Sequence, residues 1–289
     1  MQRAVKQLVV AMTDPMKQLQ RLLADRFGEE LDIPAHRFEA EALAGMAGRA
    51  SRRSFLPKQI DAALLRMLCA VALSSPTKSD LQQRDIVIVE DRAVRERLDA
   101  IVGEEWVRAA PALLVFCGNN RRQRQLHALR GHPFVNDHLD AFFNAAVDAA
   151  IALAAFVAAA EAIGLGCCPL STLRNAVEET SELLALPEHV FPVAGLALGW
   201  PAQATVLRPR LSLSATVHRG RFDDANWRRH VLEYDARRRR LAPYARQREP
   251  QRFGEHPEYS WSEDKARQYA RPERADFGAF VRRKGFRLD

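Results

Sequence analysis

Cysteine is scarce in this chain, and patterns that would hold a metal are missing. The 289 residues contain four cysteines, Cys69, Cys117, Cys167 and Cys168, with no CxxC or Cys/His ligand spacing. A bridge between the adjacent Cys167 and Cys168 would be strained. The set therefore reads as reduced thiols of a cytoplasmic protein, not as a disulfide framework. The eight histidines show no HExxH or paired-ligand spacing, which argues against a metal centre. The amino terminus has no basic-then-apolar signal pattern, because Leu8-Val9-Val10-Ala11 is too short. No internal repeat appears.

Long apolar runs are equally rare, with one exception. From Asn144 to Ile163 nothing breaks a helical period, and eleven of the eighteen positions from Ala145 to Ala162 are alanine. Alanine costs no side-chain entropy in a helix and lets neighbouring backbones approach closely. Asp148 and Glu161 inside the run, and the weak hydrophobicity of alanine, favour a core helix over a membrane span. Gly164-Leu165-Gly166 ends it. Cys167 to Asn175 then reads as an extended loop, a place to lay a flat ligand.

Charge is unevenly placed. The net charge is +7, and from Thr205 to Asp289 there are 21 Lys/Arg against 12 Asp/Glu, leaving two negative charges in excess before that point. A basic carboxyl region points to an anionic partner: a phosphorylated cofactor, nucleic acid or an acidic membrane. A nucleic-acid module is disfavoured, because there is no helix-turn-helix signature, zinc site or aromatic interleaving among the arginines.

Hydrophobic periodicity predicts helices over Met16–Phe27, stopped by Gly28, and over Ile60–Leu73, with Leu64, Leu65, Leu68, Val71 and Ala72 on its buried side. Residues 1–46 read as helical and peripheral. Strands are expected at Asp85–Val89, Ala112–Cys117 and Val193–Leu198, with a helix near Val94–Val102. Residues 118–135 read as an irregular polar loop. Further helices are expected near Asn175–Leu184, Asp224–Arg238, Ser262–Tyr269 and Ala275–Lys284. Few strands and many helices fit an α+β layer architecture.

Three short segments have the chemistry of an anion or heterocycle site. In Arg49-x-Ser51-x-Arg53-x-Phe55, an extended backbone would put two guanidiniums and a hydroxyl on one face, suited to a phosphate. Ser75-Pro76-Thr77-Lys78-Ser79-Asp80-Leu81-Gln82 follows a helix and precedes a strand. Its hydroxyls and backbone N–H groups suit a polar chain or heterocycle edge. Arg208-x-Arg210 repeats the alternating pair of cations.

In order, these segments resemble the nitroreductase family of FMN-dependent oxidoreductases, from about Arg49 to the carboxyl end. Gly-Leu-Gly-Cys-Cys-Pro-Leu-Ser-Thr-Leu-Arg-Asn after the long helix belongs to the same pattern. So does Leu-Pro-Glu-His-Val-Phe-Pro-Val-Ala-Gly-Leu-Ala-Leu-Gly-Trp-Pro, followed by Arg-Pro-Arg-Leu and a Val-His-Arg stretch. The Arg-rich extension with Ser260-Trp261-Ser262 looks closest to the larger, NADPH-preferring nitroreductase and flavin reductase branch.

The resemblance implies a mostly antiparallel central sheet flanked by helices around a long central helix, in a homodimer with FMN at the interface. It divides the chain into an N-terminal helical extension (1–46), an FMN-binding core (47–204) and a basic extension (205–289) that completes the phosphate site. Arg49, Ser51, Arg53, Arg208 and Arg210 would hold the phosphate and ribityl chain, with Arg53 near the flavin N1/O2 edge. Ser75, Pro76, Thr77, Lys78, Ser79 and Gln82 would also bind the cofactor, the turn at Thr77–Gln82 touching the flavin from the other subunit. Pro169, Leu170 and Ser171 would lie against the ring. Asp80 stands where many relatives have Asn, and Ser171-Thr172 where many have two glycines.

The implied activity is ping-pong hydride transfer from NADPH or NADH to nitroaromatics, quinones or flavins, without catalytic side chains of the protein's own. The alternative is a dedicated reaction on the same fold, reductive dehalogenation or oxidation of a small metabolite. Neither a nucleic acid nor a membrane is expected as partner. Cys167 and Cys168 read as small buried thiols beneath the ring. Among Arg237–Arg240, Arg246, Arg248 and Arg252, most read as a solvated basic face, with one or two available for the NADPH 2′-phosphate.

Overall fold

An alanine-rich helix can lie close against a sheet, and the long apolar run does so. The computed structural model describes residues 14–30, 40–204 and 206–289. The helical reading of residues 1–46 therefore falls partly outside the described residues, at 1–13 and 31–39. The first half runs α1 (Pro15–Phe27), α2 (Ala40–Ala47), α3 (Ala62–Leu73), β1 (Arg84–Ile88), α4 (Arg92–Val102), α5 (Glu105–Arg108), β2 (Ala112–Asn119) and α6 (Arg121–Arg130). Next come α7 (Leu139–Ala162), β3 (Gly166–Leu170), α8 (Val177–Leu183) and β4 (Val190–Gly199). The chain ends with α9 (Leu213–Thr216), α10 (Trp227–Leu241), α11 (Pro250–Phe253), α12 (Trp261–Tyr269) and α13 (Phe277–Arg283).

The described residues form two compact units, one from within 14–50 with 206–271 and the other of 51–204 with 272–289. In the second unit the four strands form an antiparallel sheet in the order β1-β2-β4-β3. β2 is buried along its whole length, so its alternating side chains feed two cores. Leu114 and Phe116 face α3 and α7, where they join Leu68, Phe156 and Leu196. Leu113 and Val115 face α4, with Leu98, Val107 and Leu173. Ala145, Ala149, Ala152 and Ala160 of α7 have no solvent exposure. By length and composition α7 could cross a membrane, but this buried stripe makes it the core helix of a layered fold.

Local signals account for the element ends. The Asp14 side chain accepts from Met16 N, Pro15 opens α1, and Gly28 closes it in the left-handed conformation. Asp61 caps α3 through Ala63 N and Leu64 N. Gly164 takes φ +85° just past α7, a conformation that costs a side-chain-bearing residue more than glycine.

Three expectations are corrected. Residues 118–135 are not an irregular loop, because α6 occupies Arg121–Arg130 and is capped by left-handed Gly131. That helix has almost no apolar stripe, so periodicity could not reveal it. Cys167 to Leu170 is a strand paired with β4, followed by a 3-10 turn at Thr172–Ala176, not a loop. Val71 is 50% exposed. α3 is apolar on two faces, and Val71 is on the one turned away from the sheet.

Cys117 sits at the β2 bulge between Phe116 and Cys117. Burial, helped by the Asp85 carboxylate, pushes its thiol from 9.0 up to about 12. Below about pH 9 both folded and unfolded chains keep this proton, and the site adds no pH slope. Between about pH 9 and pH 12 only the unfolded chain ionises, so stability falls as pH rises. Urea midpoints at about pH 8 and about pH 10.5 should converge for Cys117→Ala relative to wild type. An equal loss in both proteins would refute the assignment.

Candidate functional site

The turn between α3 and β1 is strained. Ser79, Asp80 and Gln82 all have positive φ, between 49° and 56°, which costs a non-glycine residue on the order of 1 kcal/mol each. Such a turn persists only if its surroundings fix it. The fixing group is Asp148, fully buried in α7. One carboxylate oxygen accepts from Lys78 N at 2.9 Å and the other from Gln83 N at 3.0 Å, so a single side chain grips both ends of the turn.

Arg84 secures the approach. Its buried guanidinium donates to the carbonyls of Leu73 and Ser75, at 2.7 and 2.8 Å. Gln123 Nε2 donates to Leu81 O at 2.8 Å, and the Asn120 amide to the buried Gln83 side chain at 2.7 Å. Inside the turn, Gln82 N donates to the Thr77 hydroxyl at 3.3 Å, and the Gln82 amide to Asp80 at 3.1 Å. Pro76, Lys78, Ser79 and Gln82 stay exposed, while Thr77 and Ser75 are half-buried. The Ser75 hydroxyl oxygen is itself buried with no hydrogen-bond partner among the described residues.

In the same unit, residues 51–56 run beside the sheet. Arg52 N donates to Cys167 O, Leu56 N to Trp200 O, and Ala202 N to Ser54 O. The approach is close enough that a Cβ on Gly166 would lie 2.7 Å from Arg52 Cγ. Ser51 and Arg53 alternate with Arg52 along this segment. The Arg53 guanidinium lies over the Trp106 ring, 5.5 Å from its centroid. In β3 and just after it, Pro169 and Ser171 are exposed and Leu170 is buried. Cys167 and Cys168 are buried at 0% and 2% exposure.

Arg49, Arg208 and Arg210 belong to the other unit. Arg49 and Arg210 line one cavity of about 800 Å³ there, with apolar walls from Leu19, Leu23, Leu43, Met46, Tyr234 and Trp261. A third guanidinium, Arg26 at the end of α1, faces the same space. Among the described residues no carboxylate lines it. Burial, and then the charges of Arg210 and Arg49, hold Arg26 below the usual arginine range. Three cations around an apolar hollow repel one another, and a bound anion relieves that repulsion.

Most of the basic carboxyl cluster is engaged in structure. Arg237 donates to the carbonyls of Phe27 and Arg210, and buried Arg238 lies over Tyr244 at 4.7 Å. Arg239 donates to Glu258 O at 3.1 Å. Arg248 pairs with Asp264 at 3.6 Å and Arg252 with Glu249 at 3.9 Å. Arg240 and Arg246 are exposed. No group of three or more His, Cys, Asp or Glu among the described residues is placed to hold a metal.

Residues 46–200 match the model of the nitroreductase family, and residues 208–289 match its C-terminal domain. The chain belongs to the nitroreductase family. It is 31% identical over 201 residues to an FMN reductase (NAD(P)H) of Bacillus subtilis, covering 68% of this chain and 80% of that one. It is 34% identical over 180 residues to an oxygen-insensitive NADPH nitroreductase of Salmonella typhimurium, covering 61% and 72%. Among solved structures it superposes on B. megaterium NfrA2 with a TM-score of 0.78 at 28% identity, over 86% of this chain and 98% of that one.

The nitroreductase fold, with its antiparallel sheet and long central helix, thus agrees with the sequence reading. The residues present also suit FMN: paired guanidiniums without a competing carboxylate match a phosphate monoester. The orphaned Ser75 hydroxyl suits a polar ligand edge. Sequence reasoning missed Asp148 as an anchor, although it noticed a charge in an apolar helix. It also missed Arg84, Gln123 and Arg26. A buried charge in an otherwise apolar pattern was the available signal for the first of these.

Removing the Asp148 carboxylate strands two N–H donors and frees a strained turn. Asp148→Ala should therefore lower unfolding free energy by about 2–6 kcal/mol, from two unmade bonds of about 1–3 kcal/mol each. Asp148→Asn keeps one acceptor and should fall between. Urea unfolding checks both, and wild-type midpoints in the two variants would contradict this role.

Proposed function

We propose that this chain, an FMN-dependent NAD(P)H oxidoreductase of the nitroreductase family, reduces nitroaromatics, quinones or free flavin, with NADPH as the preferred donor. The observation that carries the reading is the placing of Arg49 and Arg210 on one cavity with no carboxylate among its described lining residues. The names of its relatives, an FMN reductase and an NADPH nitroreductase, support the choice of acceptors.

In this reading the core (47–204) and the basic extension (205–289) share the cofactor. Arg49, Ser51, Arg208 and Arg210 bind the phosphate and ribityl chain through charge-assisted hydrogen bonds. Arg53 serves the N1/O2 edge. Pro169, Leu170 and Ser171 back the ring, and the small thiols of Cys167 and Cys168 leave room beneath it. When bound, FMN supplies hydride chemistry, so the protein needs no acid–base triad. The chain's own work is to bind, orient and exclude water. The turn held by Asp148 presents Ser75, Pro76, Thr77, Lys78, Ser79 and Gln82 to the flavin of a second copy.

A homodimer is supported by the outer faces of α3 and α7, which pack side by side. They leave Met67, Val71, Leu73, Phe143 and Val147 between 37% and 58% exposed. Contiguous apolar surface of this kind marks an interaction site. NADPH preference is assigned to the exposed Arg240 and Arg246, whose guanidiniums suit a 2′-phosphate.

The purified protein should be yellow, with a flavin absorption spectrum, and should consume NADPH with nitroaromatic, quinone or flavin acceptors. Arg210→Ala should weaken FMN about tenfold to hundredfold in a fluorescence titration, the equivalent of about 1.5–3 kcal/mol for a charge-assisted contact. An unchanged Kd would remove Arg210 from the site. The double variant of Arg240→Ala and Arg246→Ala should raise KM for NADPH but not for NADH. Turnover with none of these acceptors would transfer the assignment to a dedicated reaction.

A further inference from the structure

The amino-terminal helix α1 lies outside both family matches, which cover 46–200 and 208–289. Its last turn nevertheless meets the two segments that carry the cavity's other cations. Arg26 is 8% exposed. Its Nε donates to Ala47 O at 2.9 Å and its Nη2 to Arg49 O at 2.7 Å. Its Nη1 reaches Arg208 O at 3.5 Å, and its own carbonyl accepts from Arg210 N at 2.6 Å. One residue is thus bonded to the backbones of 47–49 and 208–210, about 160 positions apart.

Neighbouring bonds reinforce the join. Glu29 accepts from Leu213 N at 2.6 Å, Tyr234 donates to Pro209 O at 3.0 Å, and Arg237 donates to the carbonyls of Phe27 and Arg210. The side chains of Arg49 and Arg210 therefore leave backbones whose separation α1 sets. Arg26 directs donors from all three of its nitrogens to main-chain carbonyls, which marks it as a clip, not a direct ligand. A planar fork with five donors can make this junction, whereas an ammonium cannot reach all three carbonyls. Burial, and then the charges of Arg210 and Arg49, depress Arg26, and its own charge adds to the field an anion would meet.

We propose that Arg26 is a positioning residue for the FMN phosphate, clamping the Arg49 and Arg208–Arg210 segments at the spacing a phosphate monoester requires. The proposal rests on the reading of Arg49 and Arg210 as phosphate ligands. It makes the amino-terminal extension part of cofactor retention, a role that neither family match assigns to it.

The test compares FMN with riboflavin, which differ only in the phosphate, on apoprotein of the full chain. Dissociation constants are read from quenching of flavin fluorescence for wild type, Arg26→Ala, Arg26→Lys and Arg210→Ala. For Arg26→Ala we expect about tenfold or greater weakening of FMN, with riboflavin within about twofold of wild type. Arg26→Lys, which keeps the charge and fewer bonds, should fall between, and it serves alone if the alanine variant does not fold. Equal weakening of both flavins, or no weakening of either, in a folded Arg26 variant would overturn the proposal. If Arg210→Ala discriminates between the flavins and the Arg26 variants do not, only the clip is lost. If Arg210→Ala fails to discriminate, the phosphate reading is lost, and the clip with it.

Discussion

A carboxylate inside an apolar layer is tolerated only when its oxygens are filled, and Asp148 fills both with main-chain donors from Lys78 and Gln83. The bond pair links a core helix to a strained turn. Because α7 is packed rigidly on the sheet through alanines and Phe156, whatever it grips inherits that rigidity. Three positive-φ residues can therefore sit between two fixed points. Arg84 supplies the complementary restraint, since it draws in the carbonyls that the end of α3 leaves without helical partners.

The two units handle buried charge in mirror-image ways. In one, an anion is held by backbone N–H groups. In the other, the Arg26 cation is held by backbone carbonyls. Among the described residues neither has a counter-ion, and that has an electrostatic consequence. A carboxylate beside Arg26 would cancel the field of the cavity, whereas carbonyl dipoles stabilise the guanidinium and leave its net charge in place. With Arg49 and Arg210 on the same wall, the hollow stays positive, which is what an anion site requires.

Much of the fold was legible in the sequence because it rests on strong local signals. Eleven alanines announced α7, Gly28 closed α1 where expected, and the continuous apolar run of β2 matched its two-sided burial. α6 was illegible, because a polar helix closed by a left-handed Gly131 and held by pairs such as Arg124–Asp137 has no apolar period to detect. β3 was hidden for another reason: its pairing with β4 is non-local, and Gly-Cys-Cys-Pro lacks the usual strand residues. At the site, the spacing of arginines identified candidates, but not the groups that hold them. Arg26 and Arg84 act on carbonyls remote in sequence or around a turn, and neither relation follows from spacing. Arg53 illustrates the converse. Spacing named it as a candidate, while its contact with Trp106 depends on where α5 packs.

The two apolar faces of α7 join these threads. One face must be smooth to lie on the sheet, and alanine provides that. The other carries Phe143 and Val147, too large and too exposed to serve the core of a lone chain. Asp148 follows Val147 directly in sequence, so the helix that offers the outer surface also fixes the turn. Any partner seated on that surface meets a helix that can transmit little deformation, because its alanine face is packed into the core. Ser79, Asp80 and Gln82 are thus held by the fold of a single chain, so that anything meeting the turn orders little of it and costs little conformational entropy.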